Sequence, residues 1–254
     1  MRTKKFLFYL LAGILGGCVP VMSLHPLYTE QDVVFEEKLL GVWVDDSNRP
    51  DTTWEFRRPD TSKKEYELIF SDKEGNKGVF VARLVKLKDR LFLDVHPDQF
   101  PSGEKEAEKM KLPYNAFFFV SIHTFIKIDC IEFLPAAQNC LPEDEKTDKD
   151  LLKNLSLNYD YVLKLRLTDD DAFKKLLERD ANAVKHEMVE NNGVVLTAST
   201  KELQAFVLKY ADDESLFTDA KVLLRRKTTS SQRPAKEDPN KAEVKQDPAA
   251  SQKK

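Results

Sequence analysis

The sequence predicts an α+β domain in which antiparallel strands dominate and two short helices are inserted among the later strands. Three observations predict it. Between residues 41 and 131, short runs with period-two apolar alternation follow one another, separated by charged or glycine-bearing turns. Capping signals at Thr168 with Asp171 and at Ser199 with Glu202 each open a stretch whose apolar residues recur at helical spacing. Nothing repeats at a fixed period, which argues against a solenoid.

Taken in order, Gly41-Val42-Trp43-Val44 opens the first strand, and Thr53-Trp54-Glu55-Phe56-Arg57 alternates cleanly. Tyr66, Leu68 and Phe70 carry the next apolar face, and Asp72 to Asn76 supplies a turn whose Gly75 tolerates positive φ. A strand from Gly78 to Leu87 turns at Lys88-Asp89-Arg90 into Leu91–Val95. Residues 102–111, charged and flanked by Pro101 and Pro113, read as an exposed loop. Two strand-like runs follow, Ala116 to Ile122 and Thr124 to Ile131, and a charged connection fills 141–150. Tyr161, Leu163, Leu165 and Leu167 mark a strand, and Phe173, Leu176 and Leu177 give the first helix its stripe. Strands around 183–189 and 193–198, a helix bearing Leu203, Phe206, Val207 and Tyr210, and a closing strand at 221–225 complete the domain.

The chain opens with Arg2, Lys4 and Lys5, a short apolar run from Phe6 to Leu15, and then Gly16-Gly17-Cys18. A basic start, an apolar stretch of about ten residues and a small-residue site make a secretory signal peptide, too short for a span of roughly 20 residues. Leu15-Gly16-Gly17-Cys18 resembles the lipobox of bacterial lipoproteins. That resemblance implies cleavage before Cys18, acyl chains on Cys18, and a lipid-anchored protein of the cell envelope. With Val19 rather than Asp after the cysteine, it also implies the outer membrane rather than the inner. The other readings are an ordinary signal peptide and an uncleaved anchor. The expected organisation is a signal peptide at 1–17, a lipidated N-terminus and tether at 18–29, one domain at 30–227, and a polar tail at 228–254. The tail has too little apolar surface to offset its ordering entropy and is expected to be disordered.

Phe35 to Trp43 reads as a helical turn leading into Gly-x-Trp on the first strand, which resembles the entry to a lipocalin-like barrel. The resemblance implies a barrel or strongly curved sheet in which the tryptophan closes one end of the cup. The chain departs from simple lipocalins in placing two helices among its later strands. Together with Ser23 to Tyr28 and Leu196 to Leu203, the Gly-x-Trp entry also resembles a group of bacterial lipoproteins of uncharacterised function, which implies no activity.

Composition narrows the function classes. Lys and Arg number 40 against 43 Asp and Glu, and both signs are mixed throughout, so nucleic acid is not an expected partner. Cys130 and Cys140 form an even pair in an exported chain, able to bond or to remain as two thiols. A metal site is not expected, since neither cysteine belongs to a C-x-x-C pair. No nucleophile elbow, phosphate loop or dinucleotide fingerprint occurs, and no cofactor is expected. Of the four histidines, His25 lies in the tether and His186 on a strand edge. His123 with Asp129 has the elements of a base and its orienting group, against the simpler account of a strand-junction histidine bonded to backbone. His96 with Asp94 and Asp98 contains metal-ligand types, against a solvated turn. Trp43, Trp54, Phe56, Phe117 and Phe119 are the side chains that would line an apolar pocket in a barrel, or fill its core. The resulting expectation is a non-enzymatic envelope protein that reaches the membrane through Cys18 and binds a small apolar ligand or an envelope protein. Its alternatives are a scaffold without a small ligand and a hydrolase with a dispersed site.

Overall fold

Strand pairing closes a barrel. The computed structural model describes residues 21–45, 52–72, 74–98, 122–137, 140–141, 149–168, 170–189, 193–213, 216–217 and 220–227. In chain order the strands are β1 (Met22–Ser23), β2 (Val33–Val34), β3 (Gly41–Asp45), β4 (Thr53–Arg57), β5 (Tyr66–Ser71), β6 (Lys77–Leu87), β7 (Arg90–Pro97) and β8 (Thr124–Phe133). Then come helix α1 (Lys149–Asn158), β9 (Tyr159–Arg166), α2 (Asp170–Arg179), β10 (His186–Val189), β11 (Gly193–Leu196), α3 (Thr200–Tyr210) and β12 (Ala220–Arg226). Strands β3 to β9 pair antiparallel, each with the next, and β12 joins β9 to β3, so eight strands close on themselves. This is the lipocalin-like, mainly antiparallel α+β barrel that the sequence predicts. Closure leaves these strands no free edge around the ring. The short β2 is added beside β6, where Val33 and Val34 face Val85 and Leu84.

Period-two alternation sorts the side chains between two sides of the wall. Tyr66, Leu68 and Phe70 of β5 point inward with Phe80, Ala82 and Leu84 of β6, Leu163 and Leu165 of β9, and Leu167 just after it. On the outer side of β6, β7 and β8, Val85, Leu87, Phe92 and Phe125 pack against Phe173, Leu176 and Leu177 of α2 and Leu203, Phe206 and Val207 of α3. The long connection from β9 to β12 therefore forms a cap over the wall, which also includes β10 and β11. A third cluster lies outside β3, β9 and β12, where Val44, Val162 and Leu224 meet Leu134, Ala137 and Leu141. Cys130 and Cys140 are joined in a disulfide beside it, with Cα atoms 5.8 Å apart.

Two differences from the sequence-based expectation concern organisation. There are three helices rather than two among the described residues, because α1 begins at Lys149 within the segment read as a charged connection. Residues 21–28, read as part of a tether, are instead fastened to the domain. Met22 and Ser23 pair in parallel with Val195 and Leu196 of β11, and Val21 and Leu27 are fully buried. Apolar side chains at those two positions dock in the cap and offset the entropy of ordering the strap. Residues 102–111, the run 116–121, the leader with Cys18, and the tail 228–254 lie outside the described residues. No helix among the described residues is long and apolar enough to cross a membrane.

Candidate functional site

The barrel interior is the first place to look for a site. One end is plugged by the 3-10 turn Glu37–Leu39. Trp43 donates its indole N–H to Leu39 O at 2.8 Å, and Tyr66 Oη accepts from Glu36 N at 2.7 Å. Burial pushes the Tyr66 hydroxyl up to about 12, so it remains protonated. Arg225 of β12 locks the plug to the wall. Its guanidinium donates to Asp160 through two nitrogens at 2.8 and 2.7 Å, and to Lys38 O and Leu40 O at 2.9 and 3.0 Å. The same group lies 4.2 Å from the Tyr161 ring centroid and 5.9 Å from that of Trp43. Gly41 makes this possible. It has φ +125°, and a Cβ there would sit 3.0 Å from Arg225 Cδ.

Beyond the plug, the described interior is lined mainly by apolar side chains, with Thr124 opposite Val95. Trp43 faces Trp54 directly across β3 and β4, and Phe56 meets Tyr66 edge-on at 6.1 Å. Of the three described residues expected to line a pocket, Trp43 is 0% exposed, Trp54 2% and Phe56 1%. No member of the eighteen-residue interior cluster is more than 5% exposed. Val34, Phe35, Leu40, Leu91, Ile131 and Tyr161 pack against this cluster partly buried. Among the described residues the interior side chains pack against one another, as eight strands allow. Phe117 and Phe119 lie outside the described residues.

The second place is a polar seam on the outer wall, where the strap crosses β7 and β8. Asp94 is fully buried there. Its Oδ1 accepts from His123 Nδ1 at 2.6 Å, and its Oδ2 accepts from Leu27 N at 2.7 Å. His123 is anchored by its backbone, exchanging hydrogen bonds with Ser23 at 2.8 and 2.9 Å. The His96 ring lies 5.0 Å from that of His123. Arg83 Nη1 sits 3.1 Å from His96 Nε2, and a guanidinium only donates, so Nε2 accepts and the ring proton sits on Nδ1, 3.1 Å from Pro97 O. Burial holds His96 below its ordinary value, reinforced by nearby His123 and Arg83. Arg83 also donates to Glu65 at 2.6 Å and lies 5.0 Å from the Tyr28 ring centroid. Burial raises the Tyr28 hydroxyl. Thr200 and Gln204 of α3 donate to Pro26 O and Leu27 O and hold the strap from above.

The sequence-derived pairings are rearranged in this seam. His123 is partnered by Asp94, whereas Asp129 accepts from Arg166 at 2.7 Å and lies 3.2 Å from Lys127. His96 meets Arg83 and the Pro97 carbonyl, and no group of three metal-ligand residues occurs among the described residues. His186 turns its Nδ1 to Val184 O at 2.9 Å. Arg83, Arg225 and the Asp94–His123 pair are not evident from sequence. The available signal was the shared parity of Asp94 and His96 on β7, both on the wall's outer side.

A third hollow of about 80 Å³ is lined by Lys127, Arg166, Ala211, Asp212, Asp213 and Phe217. Its cations are already engaged, Arg166 and Lys127 with Asp129, and Arg90 holds Asp212. Comparison with protein-family models, with curated proteins and with solved structures finds no match to this chain.

Proposed function

We propose that this chain is a lipid-anchored, non-enzymatic protein of the bacterial cell envelope whose barrel is a rigid module for docking an envelope protein. The observation that carries the reading is the packed interior among the described residues, where Trp43, Trp54 and Phe56, the side chains expected to line a pocket, are at most 2% exposed. A carrier of small apolar molecules needs an apolar concavity, and a packed barrel presents its outer surface instead. The leader ending in Cys18 supports the anchor, with the outer membrane as its site. The buried Asp94–His123 pair is used by the strap, since Asp94 accepts from Leu27 N and His123 pairs with Ser23 through its backbone. That use supports a structural rather than a catalytic role.

Native mass spectrometry of the domain purified without residues 1–18 tests this directly. The expected result is the bare protein mass. A co-purified lipid that disappears on Trp54→Ala would replace this reading with a ligand carrier, which the aromatic lining of Trp43, Trp54 and Phe56 favours. The anchor is tested by Cys18→Ala, expected to move the protein from the membrane to the soluble fraction. A variant that stays on the membrane overturns the anchor.

A further inference from the structure

The strap determines where a lipid on Cys18 can stand relative to the domain, a consequence that rests on the proposed lipid anchor. Val21 is fully buried, Met22 and Ser23 pair with β11, and Leu24 N donates to Leu196 O at 2.9 Å. Because β1 and β11 run parallel, the chain upstream of Met22 leaves at the Gly193 end of β11. Val189 of β10 faces Gly193 at that same end. From Cys18 to Val21 the chain advances three positions, a reach of at most about 11 Å. The headgroup layer on one side of a bilayer is roughly 5–8 Å deep. So short a leash cannot hold the domain clear of the surface, and the Val189–Gly193 end of the small sheet must meet the headgroups.

One side chain is suited to that meeting. Met188 lies on β10, an edge strand of the three-stranded sheet, and is 54% exposed. It stands opposite Val194, which is buried in the cap, so an exposed apolar side chain lies at the free edge beside that core. Its strand lies two interstrand spacings, about 10 Å, from the strand that carries the anchor. The other large apolar side chains exposed among the described residues are Phe133 of β8 and Leu157 of α1, neither of which pairs with the small sheet. Among the described residues around Met188 the charges do not form a basic patch. Glu187 is exposed, and Lys185 is paired with Glu202 at 2.7 Å.

The geometry points to a membrane-contact pole at the β10–β11 end of the small sheet, with Met188 entering the headgroup boundary of the bilayer that holds Cys18. The contact is apolar and does not need anionic lipid. The test uses the acylated full chain in phosphatidylcholine vesicles, with Met188→Cys or Leu157→Cys labelled by an environment-sensitive fluorophore. A quencher carried high on the acyl chains should quench the label at position 188 several times more strongly than the label at 157. Equal quenching, with mass spectrometry showing acyl chains on Cys18, overturns the pole and leaves the anchor standing. A mass without acyl chains overturns the anchor itself, and the pole with it.

Discussion

The barrel interior and the seam under the strap are both buried, yet they hold the molecule by different physics. The interior is lined with apolar and aromatic side chains from all around the ring, with the polar ends of Trp43 and Tyr66 turned to the plug. Its contribution is non-directional, about 1.5–3 kcal/mol for each large side chain removed from water, and tolerates swaps that conserve volume. The seam depends on direction. Asp94 has one oxygen on His123 and the other on Leu27 N, and the neutral His96 ring fits between Arg83 and Pro97 O. Such a network is valuable when every group is satisfied and costly when one is not. The interior thus decides whether the barrel forms, and the seam decides whether the strap lies on it.

Substitutions in the two regions should separate these roles. Trp43→Ala empties the interior beside the plug and should cost about 3–5 kcal/mol, read as a lowered global unfolding midpoint in denaturant. Asp94→Ala leaves a buried Leu27 N–H and His123 without their acceptor, at roughly 3 kcal/mol. Its mark is local, since hydrogen exchange should rise in residues 21–28 while β3 to β6 stay protected. Equal loss of protection throughout would show that strap and barrel are one cooperative unit. Arg225→Lys keeps the charge but loses the paired contact with Asp160 and a carbonyl bond, and should cost roughly 1–2 kcal/mol in the same denaturant titration.

The smallest effect concerns pH. His96 is held below its ordinary 6.5, so the folded state binds fewer protons than the unfolded state just beneath that value. Its contribution is therefore fully present above pH 6.5 and is lost as pH falls from there through the lower folded value. The proton would have to enter at Nε2, against Arg83, with His123, Asp94, Glu65 and Tyr28 close by. Stability measured from pH 7 downward should fall, and His96→Gln should flatten the part of that fall that begins near 6.5. An unchanged slope would remove His96 from the seam's energetics.

Much of the interior was legible in sequence because alternation is a local property. Trp54 and Phe56 on one strand, and Tyr66, Leu68 and Phe70 on the next, announce their inward face without any knowledge of partners. The closed end at Gly41 and Trp43 was implied only by the resemblance of Gly-x-Trp to the entry of a lipocalin-like barrel. Arg225 gave no sign of it, because its partners Lys38 and Leu40 lie 187 and 185 residues away and are brought near only when β12 pairs with β3. The seam shows the same limit. Reading along the chain joins His123 to Asp129. The register of β7 on β8 sets Asp94 against Phe125 and so places His123 on the neighbouring diagonal. The strap was misread for a related reason. Ser23 to Tyr28 has no periodicity, and its order is imposed by β11, Asp94 and α3.

By itself, then, the sequence determined the strand faces, the helix that carries Phe173, Leu176 and Leu177, and the capping box of Ser199 with Glu202, since each follows from neighbours within a few residues. Only the tertiary structure decided that β12 closes the ring, that Trp43, Trp54 and Phe56 are buried in its interior, and that residues 21–28 belong to the domain. Those outcomes depend on strand register and on volumes summed over the whole ring. Both are set cooperatively by contacts between distant segments, which no local pattern encodes.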